Sequence, residues 1–456
     1  MNRDVAHFAR LCGGRYEGPA LPWSSVCSDT RALQPGQLYL ALRGPRFDGN
    51  EFVAQAAAAG AVAAVVDRPG ISAELPLVQV DDVQAALTRA AAGWRSQYRG
   101  VVVGIAGSNG KTTTKEMTAA ILSRSGDCLA TRGNLNNHIG VPLTLLRLAP
   151  TDQHAVIELG ANRAGDVAEL LQIAQPQIGV ITNAGAEHLE GFGDLQGVAQ
   201  AEGEMVAGLP SDGIAVINAD DEFAPLWRSM TAAKVVSFGL SPDAEFRATD
   251  ISEALQPQGF VQRFTLHSPV GVTAVQINFG GRHNVRNALA AAAAAISAGA
   301  SLQDVADALA TLQPVQGRLQ PRLSRHGATL IDDTYNANPD SVRAGIDVVT
   351  GLGGEAWLVL ADMGELGEHA HDSHVQVGAY ARAAGITRLF ASGELSRLAV
   401  AAFGSGASWH VDVPSMATAV DAQLHAGVCV LVKGSRFNRL ERVVATLTGT
   451  AAALEH

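Results

Sequence analysis

The chain has 456 residues and a formal net charge of −11, which argues against a general nucleic-acid binder, since that needs a basic face. Hydrophobic residues make up 47% and charged residues 17%, the balance of soluble folded domains, and the length suits two to four of them. The four cysteines, Cys12, Cys27, Cys128 and Cys429, stand far apart with no CxxC pair, so neither a zinc cluster nor a redox motif is suggested and thiols in a reducing compartment are expected.

The opening stretch "MNRDVAHFARLCGG" holds no apolar run of signal-peptide length. Up to about Tyr98, short strand-like runs ("QLYLAL", "AVAAVV") surround an alanine-rich helix ("FVAQAAAAG"). The middle segment begins with "GVVVGIAG" and continues through "HAVIEL", "IGVITN" and "GIAVINA". Its most apolar run, Ala288 to Ala300, is shorter than the about 20 residues that span a bilayer and reads as a buried helix. The last segment opens near "LQPVQGRLQPR" and carries "ATLIDDTY", "EAWLVLAD", "ITRLFASG" and "VCVLVKG". Apolar strands alternating with helix-length sequence predict parallel α/β sheets, which bind ligands beyond the carboxyl ends of their strands. The expected fold is α/β in three domains, 1–98, 99–313 and 314–453, and the closing residues 454–456 resemble the start of an affinity tag.

The middle segment carries the chemistry. "GSNGKTT", Gly107 to Thr113, joins a strand to a helix-competent run. Gly107, Ser108, Asn109 and Gly110 form a turn that aims backbone N–H groups at one point, and the helix N-terminus adds positive charge. Lys111 can neutralise β- and γ-phosphate oxygens, the Thr112 hydroxyl can ligate Mg²⁺, and Thr113 continues the loop. The usual spacing would place a glycine at Ile105, so this is a shortened variant. Glu158 follows the strand "HAVIE" at a position where a plain core acid is out of place, and reads as a metal ligand. Asn183 and His188 share the loop after the next strand.

At these residues the chain resembles the Mur ligases, ATP-dependent amide-forming enzymes of peptidoglycan precursor synthesis. "GSNGKTTTKEM", "ELG", "TNAGAEHLEGFG", "GRHNVRNALAA", "DDTYNANPDS" and "VLVKGSR" follow in the family's order, and the shortened loop spacing is the family's own. The stretches "SDTRALQPGQLYLALRGPRFDGNEFV", "DDTYNANPDS" and "LADMGELGEHA" are similar to the branch that adds D-alanyl-D-alanine to UDP-N-acetylmuramoyl tripeptide.

The resemblance implies a uridine-nucleotide-binding N-terminal domain, a central P-loop ATPase domain and a Rossmann-like C-terminal domain. It also implies that the tripeptide carboxylate takes the γ-phosphoryl group of ATP and that the amine of D-Ala-D-Ala displaces the phosphate. Two Mg²⁺ ions are implied, one on Thr112 and Glu158, the second on His188. A lysine that family members carry in the next helix, modified to a carbamate, is replaced here by Glu202, which is expected to serve the second ion; Gln200 and Glu204 are alternatives if the register differs. Asn287 is the implied base contact, with His283 weaker and Asn284 either a contact or a helix cap. Arg318 is implied to approach the phosphates, and Asp333 either to bind the ribose or to order the closure of the domains. Tyr335, Asn336, Asn338, Lys433 and Arg436 are implied to line the cleft between domains. Ser28, Asp29, Thr30 and Arg31, with Arg43, Arg46, Asp48 and Asn50, would hold the uridine diphosphate, although family members more often have histidine at the Asn50 position. A monomer acting in the cytoplasm, with no membrane span and no nucleic acid, completes the expectation. A sibling ligase adding one amino acid to the dipeptide precursor, and a non-catalytic binding protein, remain the rival readings.

Overall fold

A computed structural model describes residues 1–71 and 74–450, so the stretch expected to begin a tag lies outside the described residues. Three larger sheets follow one another along the chain, with a two-stranded antiparallel ribbon, Arg43–Gly44 and Phe47–Asp48, beside the first. The first has four parallel strands in the order Val26–Cys27, Leu38–Leu40, Ala63–Val66 and Leu77–Gln79. Helices Val5–Cys12 and Val83–Arg95 cover it, each started by an aspartate (Asp4, Asp82) whose carboxylate accepts a first-turn N–H.

The second sheet has nine strands. Six are parallel, with Val101–Ala106 between Ile178–Ile181 and His154–Glu158. Both faces of these strands carry helices, so they read as continuous apolar runs rather than alternating ones. The remaining three, Phe246–Gln256, Gly259–Ser268 and Gly271–Ile277, form an antiparallel meander at one edge. The sequence reading did not anticipate this meander. Its strands are buried on one face and polar on the other, so they lack the unbroken apolar runs that mark the parallel strands.

The third sheet orders Gln320–Leu323, Thr329–Asp333, Val428–Lys433, Glu355–Ala361, Arg388–Ser392 and Ala407–His410, all parallel except for the first pair. Thr329–Asp333 and Val428–Lys433 are neighbours, which puts Asp333 opposite Lys433 at their carboxyl ends. Among the described residues no helix is long and apolar enough to cross a membrane.

Two packing features position the site. The helix Arg282–Ser297 buries every residue from Ala288 to Ala295, so it lies close against the helix Lys111–Leu122 that follows the glycine-rich loop. Alanine makes that approach possible because it interposes only a methyl group. The second feature is a hydrophobic core that ignores the first expected domain boundary. Phe8, Trp23 and Trp94 belong to the same cluster as Leu145, Leu148, Leu170 and Trp227. Trp94 is fully buried and its indole donates to the Leu148 carbonyl at 3.0 Å. Trp94→Ala would open a cavity at this junction and lower the denaturant midpoint, at a cost of about 3–5 kcal/mol, measured by equilibrium unfolding followed by tryptophan fluorescence and circular dichroism.

Candidate active site

The strand Val101–Ala106 ends in a loop that only glycine can complete at two points. Gly107 has φ 122° and Gly110 φ 83°. A Cβ at Gly107 would stand 2.1 Å from Thr182 Oγ1, and one at Gly110 would stand 2.3 Å from Asn287 Oδ1. The next strand's loop props the turn. Ser108 N–H donates to the Asn183 carbonyl, Asn109 N–H to Asn183 Oδ1, and Thr182 Oγ1 and Asn183 Nδ2 donate to the Asn109 carbonyl. Ser108 Oγ lies 2.8 Å from the Gly185 N–H that donates to it. The helix starting at Lys111 then presents first-turn N–H groups, including those of Thr112 and Thr113, which have no acceptor within the helix.

Lys111 is largely but not fully buried at the centre of this turn, its side chain 15% exposed. Its Nζ donates to the carbonyls of Gly107 and Ser108 and to Glu187 Oε1 at 2.9 Å. Burial opposes its charge, but Glu187, Glu202 and Glu158 outweigh that and hold its pKa above the ordinary lysine value. Glu187 adjoins the expected His188 and was not singled out in the sequence; the signal was an acid in the same strand-end loop.

Glu158 emerges where expected and is 2% exposed. Its Oε1 accepts from Asn136 Nδ2 at 2.9 Å and lies 3.3 Å from Thr112 Oγ1. Its Oε2 is buried without a hydrogen-bond partner, 3.8 Å from Lys115 Nζ. A buried carboxylate with one oxygen lacking a hydrogen bond and a threonine hydroxyl against the other fits a hard cation that takes one or two protein ligands and fills the rest with water and phosphate. Lys115, fully buried and bonded to the Thr131 carbonyl and Glu116, and Asn136 were both missed; "GNLNN" was the available signal for the second.

Glu202 turns toward the glycine-rich loop. Its Oε2 accepts the Gly107 N–H at 2.6 Å, and burial pushes its pKa up to about 7 against the pull of Lys111. Glu204 instead accepts the N–H groups of Gly165 and Ala168 at a helix start, and so is not the metal-side acid. His188, in the left-handed conformation at φ 49°, places Nδ1 3.1 Å from Glu365 Oε2 of the third sheet's layer. Among the described residues no three His, Cys, Asp or Glu side chains gather as a metal-binding group. Of the two residues expected at the second ion, Glu202 here braces the loop and His188 pairs across the cleft.

A cavity of about 390 Å³ opens between the middle and last segments, lined by Asn109, Gly110, Thr113, Asn287, Arg318 and Lys433 among others. Asn287 and His283 lie on its wall. Asn287 Nδ2 donates to Asn284 Oδ1, and Asn284 Nδ2 donates to the Gly280 carbonyl, so the Asn284 side chain does not cap the helix. Burial depresses the His283 pKa to about 4, so its ring is neutral near pH 7. From the other wall, Lys433 donates to the Asn336 carbonyl at 2.9 Å and to Asp333 Oδ2, while Asp333 Oδ1 accepts the Leu319 N–H. Burial lowers the Lys433 pKa, with Asp333 opposing. Arg318 lies over the Tyr335 ring at 4.0 Å and Arg436 near that ring at 5.3 Å. The Arg318 Nε is buried without a hydrogen-bond partner, which suits an anion-binding group. Asn336 turns back on the Ala337 N–H, and Asn338 caps the helix Pro339–Gly351 while donating to Asn109 Oδ1 at 2.9 Å.

In the first layer, Asn50 Nδ2 donates to Asp48 and Asp67, and Arg43 pairs with Asp67 at 2.8 Å. Asn50 Oδ1 is buried and unpartnered. Arg46 is exposed, Arg31 pairs with Asp29 at the surface, and Ser28 and Thr30 are half-buried beside them. Asp67, on which Asn50 and Arg43 converge, was not anticipated.

A glycine-rich phosphate loop on a parallel sheet, facing basic groups of a second sheet, defines an ATP-dependent ligase of the three-domain kind. Residues 23–95 match the Mur ligase family catalytic domain, 105–295 the Mur ligase middle domain, and 317–436 the Mur ligase glutamate ligase domain; the chain belongs to the Mur ligase family. Two relatives named UDP-N-acetylmuramoyl-tripeptide--D-alanyl-D-alanine ligase are those of Escherichia coli (strain K12), 43% identical over 97% of this chain and 98% of the relative, and Bacillus subtilis (strain 168), 33% identical over 98% of each. Among solved structures, MurF from Acinetobacter baumannii matches with a TM-score of 0.90 at 34% identity over 99% of both chains. MurF ligase from Thermotoga maritima in complex with ADP matches at 0.82 and 25%, over 93% of this chain and 97% of that one.

The raised Glu202 pKa has a definite sign. The folded state holds this proton more tightly than the unfolded chain does, so the stability it contributes is present below the ordinary glutamate pKa of 4.5 and is lost as pH rises through about 7. Glu202→Gln should therefore gain stability relative to the unmodified protein between pH 5 and pH 8, by up to about 3 kcal/mol, measured as the difference in denaturant midpoint across that range.

Proposed function

We propose that this chain joins D-alanyl-D-alanine to the terminal carboxylate of UDP-N-acetylmuramoyl tripeptide, consuming ATP, in the cytoplasmic stage of peptidoglycan precursor synthesis. The observation that carries the reading is the pairing of opposed walls in one cleft: Asn109, Gly110 and Thr113 of the phosphate loop that encloses Lys111 on one side, Arg318 and Lys433 on the other. Relatives named for this reaction cover 97% and 98% of the chain.

A carboxylate is a poor electrophile because its charge repels an amine and it offers no leaving group. In the proposed reaction a carboxylate oxygen bonds to the γ-phosphorus of ATP as the bond to ADP breaks. The amine of D-Ala-D-Ala then bonds to the acyl carbon, and the tetrahedral intermediate expels phosphate as the nitrogen loses its proton. Two anions must meet in the first step, so positive charge has to lie between them. Lys111 meets this demand: it exchanges its bonds to the Gly107 and Ser108 carbonyls for phosphate oxygens. The loop N–H groups hold the β-phosphate, and Arg318, fixed by Tyr335, faces the transferred group. Asn287 and neutral His283 offer hydrogen bonds to a base, and Asp333 a partner for ribose hydroxyls. Tyr335, Asn336, Asn338 and Arg436 line the peptide side.

Thr112 and Glu158 would hold Mg²⁺, which when bound screens the β- and γ-phosphate charge. The Asn50–Asp48–Asp67 cluster and Arg43 would take the uridine end, with Ser28, Thr30, Arg31 and Arg46 nearby. The domain limits 1–98, 99–313 and 314–453 belong to the same reading.

Phosphate release from ATP should require both UDP-muramoyl tripeptide and D-Ala-D-Ala. Lys111→Ala should cut kcat/KM by about a thousandfold or more, the scale of losing one preorganised charge on the transferred group. Release driven by a single amino acid on the dipeptide precursor would indicate the sibling reaction, and ATP binding without turnover a binding protein.

A further inference from the structure

The loop Asn183–His188 is gripped from two sides. From the middle segment, Ser108 and Asn109 bond to Gly185 and Asn183. From the last segment, Asp340 Oδ2 accepts the Ala186 N–H at 3.1 Å, and Glu365 Oε2 lies 3.1 Å from His188 Nδ1. Between those two grips stands Glu187, the acid that holds Lys111. Two of the residues involved are held in a conformation that non-glycine residues rarely adopt, His188 at φ 49° and Glu365 at φ 64°. Backbone strain of this kind persists only where surrounding contacts fix it, and here the contacts come from opposite walls of one cleft. The Glu190 N–H also donates to the Glu365 carbonyl, and the imidazole of His369 meets the Gly193 carbonyl at 3.2 Å, extending the seam.

We propose that Asp340 and Glu365 are positioning residues: carboxylates of the last segment that set the Asn183–His188 loop, and through Glu187 the Lys111 ammonium, when that segment is seated. Neither needs to touch the reacting atoms. Asp340 acts on a backbone N–H, so any side chain with an acceptor oxygen at that place serves. Glu365 acts on Nδ1, which leaves Nε2 of His188 as the nitrogen for whatever binds in the cleft. Both side chains are about half exposed or more, so their worth to overall stability is small and their effect falls on alignment. This inference rests on the ligase reading for its kinetic arm only.

The test uses full-length protein with Asp340→Ala, Asp340→Asn, Glu365→Ala and the double alanine variant. Hydrogen exchange of the peptide spanning residues 183–190 is followed with ADP bound, and kcat and KM are measured for unmodified and variant protein. The double variant should exchange this segment faster at an unchanged thermal midpoint. Its kcat should fall about tenfold, the effect of roughly one lost alignment contact, with KM for ATP little altered. Asp340→Asn should restore both readouts and Asp340→Ala neither. Unchanged protection and unchanged kcat in the double variant would overturn the inference. A protein with no D-Ala-D-Ala-dependent turnover would overturn the ligase reading instead, while the exchange result still decides the role of the two carboxylates.

Discussion

One ammonium organises the phosphate loop. Lys111 sits among Glu187, Glu202 and Glu158 with its nitrogen on two backbone carbonyls, and an unpaired charge so placed would be expensive. The acids that neutralise it come from three different places in the chain: a strand end, a loop, and a helix. Each therefore ties another element to the phosphate loop. The glycines follow from the same constraint. Gly107 and Gly110 are small because Thr182 and Asn287 must come within contact distance of the turn, and those contacts hold the loop in the shape that encloses the lysine.

Much of the middle layer was legible because its parallel strands are buried on both faces and read as plain apolar runs. The loop after Val101–Ala106 was legible because glycine, lysine and threonine stand between a strand and a helix. The meander Phe246–Ile277 was not, since a strand wet on one face has no unbroken run. Lys115 and Asn136 were not either: a buried lysine looks like any helix lysine until the Thr131 carbonyl and Glu116 close around it. Glu202 illustrates a partial reading. Sequence placed it with His188 at the second ion, whereas in three dimensions its carboxylate accepts the Gly107 N–H.

The opposite wall works by aromatic and ionic support. Tyr335 carries Arg318 over its face with Arg436 close by, and Asp333 restrains Lys433. Guanidinium groups held against a ring lose little freedom when they meet an anion, which favours binding without further ordering. The seam between the two walls joins Asn338 to Asn109, Asp340 to Ala186 and Glu365 to His188, and Leu189 and Val198 of the middle layer share a core cluster with Met363 and Leu366 of the last.

The junction of the first two layers is aromatic. Phe8, Trp23 and Trp94 share one dry core with Leu145, Leu148 and Trp227, so the first two layers cannot slide past each other without exposing aromatic surface. The distance from the first sheet to the phosphate loop is thereby fixed by the fold. On the proposed ligase reading that fixed distance would serve as a caliper: with the nucleotide end of a long precursor held by the first layer, only a peptide stem of matching length would bring its tip to the phosphates.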